Sequence, residues 1–124
     1  MATHAAAHLM TSGHTVGELY TFGSPRVGDS KFALWFDERF SHFKARVTHN
    51  RDPVPHLPLL DMGFVHISTE VFYKGAVKSG YTVCKDGSAK EDMKCSDQYY
   101  LDPLVTDHIT YMDIDFTSNI LKCQ

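Results

Sequence analysis

Asp52 and His108 are the residues of this chain whose type and setting could do chemistry. Asp52 sits in RVTHNRDPVPHLP, residues 46–58, among three prolines and two histidines. Residues 46–49 read as a short strand, with Val47 and His49 on one face and Arg46 and Thr48 on the other. Pro53 has no N–H and drives the residue before it out of the helical region, so the strand cannot simply continue. Asp52 is therefore expected on a stiffened turn just past a strand end. One reading is a turn-forming Asp before Pro, the commonest use of that pair. The other is an acid that orients a histidine so that the imidazole can act as a general base. His108, in TDHITY after a long polar segment, is the candidate partner, one of eight histidines. Asp107 is nearer to it in sequence, but adjacent side chains diverge and rarely pair.

Other reactive residues offer less. His4 and His8 have the i, i+4 spacing of a metal pair, but no Glu follows His4 as in H-E-x-x-H, so no metal is expected there. Cys84 and Cys95, in VCKDGSAKEDMKC, enclose small and polar residues and suit a disulfide-closed surface loop; reduced thiols are the alternative. Cys123 leaves an odd cysteine that wants a partner beyond this chain. No serine lies in G-x-S-x-G, and Ser24 in FGSPR is the nearest substitute for a nucleophile.

The elements that must hold these residues follow from periodicity. Residues 1–12 are Ala-rich and apolar nearly all round, a buried helix ended by Gly13. Residues 15–22 (TVGELYTF) read as a strand, and GSPRVGD after it as a turn. From about Asp29 to Phe43, the residues Phe32, Trp35, Phe36, Phe40 and Phe43 form one helical stripe, capped by Asp29 or Ser30. The stripe is expected to be core. Residues 64–75 alternate well enough for one long strand or a hairpin, and residues 84–103 read as loop. Helix–strand–helix–strand implies a parallel sheet. The elements are few for one, and the chain begins inside a buried helix, so the expectation is half a domain. A central strand such as 15–22, left as an edge, would invite aggregation.

Composition narrows the field. With 124 residues, 43% hydrophobic, the chain can bury one core and not two. Net charge is −3 and no run of Lys or Arg occurs, which argues against nucleic acid or an anionic membrane surface as the main partner. No stretch approaches the ~18 apolar residues of a membrane span. MATHAAAHLM lacks a basic leader and is a poor signal peptide.

Asp before His is the tail of the Ser…Asp…His order of α/β-hydrolases, whose nucleophile sits on a G-x-S-x-G turn before a buried helix. YTFGSPRVGD, RVTHNRDPVPHLP, GFVHISTEVFY and DHITY, in this order, resemble the class 3 (fungal-type) triacylglycerol lipases over residues 1–123. The resemblance implies an α/β fold: residues 1–124 as the C-terminal part of an α/β-hydrolase domain, a mostly parallel sheet with flanking helices. It implies Asp52 as triad acid, His108 as general base, no metal or cofactor, and a lipid ester substrate at an oil–water or membrane interface. His49, His56 and His66 resemble structural positions. By the same resemblance Cys84 bonds Cys95, Cys123 pairs with a cysteine of an N-terminal half, and the parent is secreted. Nucleophile, oxyanion hole and lid would all precede residue 1, leaving this chain alone inactive. The competing reading is a truncated, non-catalytic paralogue that binds lipid or protein; a histidine-based metal protein is a distant third.

Overall fold

A computed structural model of the chain describes residues 1–87 and 89–118. Helix α1, Ala2–Thr11, forms because alanine loses no side-chain freedom on becoming helical. It ends at Gly13, whose φ of +82° suits a residue without Cβ. Thr3, Ala6 and Ala7 make a single buried face, while Leu9 is 43% exposed. The helix is thus covered on one side, not all round as its composition suggests, because among the described residues it packs on one sheet face and α2.

Strand β1, Glu18–Phe22, follows. Its Leu19 and Thr21 are buried, while Tyr20 and Phe22 stand on the opposite, open face. After the short β2, Gly28–Asp29, comes α2, Ser30–Arg39. Asp29 caps it as expected, its Oδ1 accepting from the Phe32 N–H at 2.8 Å. Ala33 and Phe36 are buried in the helix and Phe40 just beyond it, but the stripe breaks before Phe43. Phe43 opens strand β3, Phe43–His49, and is 56% exposed beside Tyr20. Sheet pairing with β1 takes this residue from the helix that its spacing would continue.

Residues 64–75 are neither one strand nor a hairpin. Phe64–Val65 forms β4 and pairs antiparallel with β2, whereas Glu70–Tyr73 forms β5 and pairs parallel with β3. The two halves of one alternating pattern serve different sheets. β6, Thr82–Val83, adds antiparallel to β5, and the main sheet runs β1-β3-β5-β6. β7, Thr110–Tyr111, and β8, Ile114–Asp115, form a small hairpin. β1 is an edge of the main sheet among the described residues.

The core under α1 and α2 gathers Ala6, Ala7, Leu19, Ala33, Phe36, Phe40 and Ile67. A second cluster packs Phe72 against Cys84, Cys95 and Tyr99. Cys84 and Cys95 are bonded to each other. The segment they close is polar for a reason that its periodicity hides. Asp86 from that segment and Glu70 face the buried Arg46 guanidinium at 3.3 and 3.7 Å. Glu70 also accepts from Thr48 Oγ1 at 2.6 Å and from the Ser96 N–H at 3.2 Å. A buried charge needs such partners, so these acids are tertiary ties. Cys123 lies outside the described residues.

Candidate active site

β3 ends at His49, and the chain turns back at once: the Asp52 N–H donates to the His49 carbonyl at 3.0 Å. The Asp52 side chain is 99% buried. Its Oδ1 accepts from the Val54 N–H at 2.8 Å, the backbone bond of a turn-forming Asp. Its Oδ2 accepts from Tyr111 Oη at 2.5 Å. His108 Nδ1 lies 3.0 Å from Oδ2 and 3.1 Å from Oδ1. The same carboxylate thus stiffens its turn and faces an imidazole.

His108 reaches that position on a loop tied to the acid turn. The Leu104 N–H donates to the Arg51 carbonyl at 2.7 Å. Asp107 Oδ2 accepts from Asn50 Nδ2 at 2.9 Å and from the Arg51 N–H at 3.1 Å. His49 Nδ1 lies 2.8 Å from the Thr110 carbonyl and 3.1 Å from that of Asp107. Carbonyls only accept, so this nitrogen of His49 carries the hydrogen. Asp107, then, fixes the loop and does not pair with the neighbouring His108.

Three donors converge on Asp52, which makes His108 Nδ1 a donor and leaves Nε2 with the lone pair. Nε2 has no hydrogen-bond partner among the described residues, and the His108 side chain is 38% exposed where Asp52 is closed off. An imidazole held by its Nδ1–H, with Nε2 open, is able to take a proton from a hydroxyl brought to it. Burial and the Asp52 charge raise the Tyr111 phenol well above its usual range, so it stays a donor.

Two residues of this constellation escape sequence reasoning. Gly23, at the end of β1, has a φ of +56°, and a Cβ there would meet Asp52 Oδ2 at 2.7 Å and His108 Nδ1 at 3.0 Å. Tyr111 stands three residues after His108 in DHITY, a spacing visible in the sequence whose purpose is not. His66, His56 and His4 make contacts away from the acid. His66 donates from Nε2 to the Pro55 carbonyl at 2.8 Å, and burial, aided by the Arg46 charge, lowers its pKa to about 3. His56 Nδ1 contacts Asp97 Oδ1 at 3.1 Å. His4 packs its ring on Phe32, and Ser24 Oγ donates to the Pro25 carbonyl, not to His108. Glu70, Cys84 and Cys95 come close enough to hold a metal, but the two sulfurs are bonded to each other and offer no thiolates. A hollow of about 580 Å³ lined by His14, Trp35, Arg39 and His42 lies at the amino ends of β1 and β3, the far end of the sheet from Asp52.

The family model for lipase (class 3) matches residues 1–62, from α1 through the acid turn. The chain belongs to the class 3 lipase family. A secreted mono- and diacylglycerol lipase A from Penicillium cyclopium is 46% identical over 70 residues, 56% of this chain and 22% of that protein. Lipase II from Rhizopus niveus superposes with a TM-score of 0.81 at 30% identity, over 92% of this chain and 43% of that one. A triacylglycerol lipase whose catalytic centre is described as a serine protease triad matches at 0.75 and 31% identity, over 91% and 43%. This class 3 lipase chain thus spans less than half the length of the relatives it matches, with the α/β architecture they share.

Proposed function

We propose that Asp52 and His108 are the acid and base of a Ser-His-Asp triad that hydrolyses carboxylic esters of lipids, the serine and its oxyanion donors lying outside these 124 residues. The contact of His108 Nδ1 with a buried carboxylate at 3.0 Å carries this reading. The bonded tyrosine and the Val54 N–H support it by holding the acid in one orientation.

In this reading His108 Nε2 takes the serine proton as the hydroxyl attacks the ester carbonyl. Asp52 holds the imidazole by its Nδ1–H and stabilises the imidazolium that forms. The imidazolium then protonates the leaving alcohol, and a water activated by the same Nε2 releases the acid from the acyl-enzyme. The substrate class follows the family and its relatives: acylglycerol-type esters presented at a lipid–water interface. Secretion is part of the proposal, supported by the Cys84–Cys95 bond and by relatives named as secreted.

The full-length protein treated with an alkyl phosphonate ester, a covalent serine probe, tests it. Labelling of one serine, abolished in His108→Ala, is expected. Asp52→Asn should keep the fold and lower turnover about 10⁴-fold, the scale for a triad acid. Unlabelled, inactive protein would replace the triad with the non-catalytic binding module, and full activity in Asp52→Asn would take Asp52 out of the catalytic machinery.

A further inference from the structure

We propose that Arg26 is a positioning residue for the Asp52 turn, held in place by Glu91 of the disulfide-closed segment; this rests on the triad reading above. The Arg26 side chain is fully enclosed. Its Nη1 donates to the His56 carbonyl at 2.5 Å and to the Pro58 carbonyl at 2.9 Å, while its backbone N–H donates to the Leu57 carbonyl at 2.7 Å. His66 Nε2 takes the carbonyl before them, Pro55, at 2.8 Å. Carbonyls 55 to 58 are thus each fixed by a donor from elsewhere in the chain. They follow directly on Val54, whose N–H bonds Asp52 Oδ1.

The remaining face of the guanidinium is closed by Glu91, at 2.8 Å from Nε and 2.6 Å from Nη2. Asp97 adds its charge at 3.8 Å. Burial alone would lower the Arg26 pKa, but the Glu91 contact with the nearby Asp97 and Tyr100 charges raises the value overall, so the cation persists. Glu91 and Arg26 are 65 residues apart in sequence, and Glu91 lies between Cys84 and Cys95. The bond between these cysteines therefore sets where the carboxylate sits, the carboxylate sets the fork, and the fork sets the turn. Lysine cannot replace this arrangement, because a point ammonium lacks the planar fork that serves two carbonyls and a bidentate carboxylate together.

The test compares Arg26→Lys, Glu91→Gln and Asp52→Asn in the full-length protein, with hydrolysis of a short-chain ester as readout. A displacement of the acid on the ångström scale costs about 100-fold in turnover, so kcat should fall by that order in Arg26→Lys, and by less in Glu91→Gln, which keeps an acceptor. The acid limb of the kcat/KM profile should move to lower pH in both, since a carboxylate that no longer faces Nδ1 supports the imidazolium less. A purely structural role would lower the amount of folded enzyme and leave the profile where it was. Unchanged kcat and profile in folded Arg26→Lys, with Asp52→Asn inactive, would overturn the clamp and leave the triad standing. An active Asp52→Asn would instead remove the triad and the clamp with it. Where Arg26→Lys does not fold, Glu91→Gln decides alone: an unshifted profile and full kcat refute the proposal.

Discussion

Gly23 and Asp52 stand so close that a single added carbon at Gly23 would lie 2.7 Å from Asp52 Oδ2. The same carbon would lie 2.9 Å from Tyr111 Oη, and the backbone φ of +56° already disfavours any side chain. Gly23→Ala should therefore act twice, through backbone strain of about 1 kcal/mol and by pushing the acid off the imidazole. We expect a lower melting temperature together with a loss of turnover of about 100-fold. A variant that loses stability but keeps the kcat of its folded fraction would show that the carboxylate has room to yield.

Tyr111 donates to a buried carboxylate, and hydrogen bonds to charged groups are the strong ones. Tyr111→Phe keeps the ring that packs edge-on against Phe22 and Tyr73. Its cost should thus report the hydroxyl, about 1.5–3 kcal/mol of folding free energy. Denaturant unfolding of the two proteins measures it. A difference of nothing resolvable would mean that water or a neighbour replaces the donor at Oδ2.

His66 makes stability depend on pH. Its pKa is lowered from 6.5 to about 3 in the folded state. Between those values the unfolded chain binds a proton that the native chain does not. The stabilisation is complete above about pH 6.5 and is lost as pH falls toward 3, at about 1.4 kcal/mol per unit. His66→Gln keeps a donor for the Pro55 carbonyl without titrating. Subtracting its stability curve from the parent's should leave that slope, and parallel curves between pH 4 and 6 would disprove it.

The Cys84–Cys95 bond closes a short loop across a sequence separation of 11 residues. Replacing both cysteines by alanine frees that loop in the unfolded chain and should cost about 2–3 kcal/mol. The double variant also loosens the segment that carries Asp86 and Glu91, so amide exchange should quicken there first. Equal stability in chemical denaturation would mean that the ion pairs with Arg26 and Arg46 hold the segment without the bond.

The parts of this structure legible in the sequence are those set over short distances. Alanine content and the i, i+3, i+4 stripe place the two helices, and Asp29 caps the second. Pro53 and its neighbours place Asp52 on a turn after a strand. The ordered motifs pair Asp52 with His108 and Cys84 with Cys95. Where periodicity failed, a second element competed for the same residues. Phe43 suits α2 by spacing but pairs in β3, and residues 64–75 alternate throughout yet divide between two sheets.

Tertiary structure alone decided the rest. Gly23 reads as a turn residue, and only the approach of the acid and the imidazole shows why no other side chain fits. Tyr111 in DHITYMD and Arg26 in GSPRVGD sit in no sequence pattern that names a partner. Residues 84–103 read as a polar loop, yet Asp86 and Glu91 answer arginines far off in the chain. Hydrophobic periodicity and turn chemistry act between neighbours, so one sequence displays them. The pairing of buried charges depends on which distant segments the core brings together, and that was fixed only when the sheet, its helices and the disulfide loop closed around Asp52.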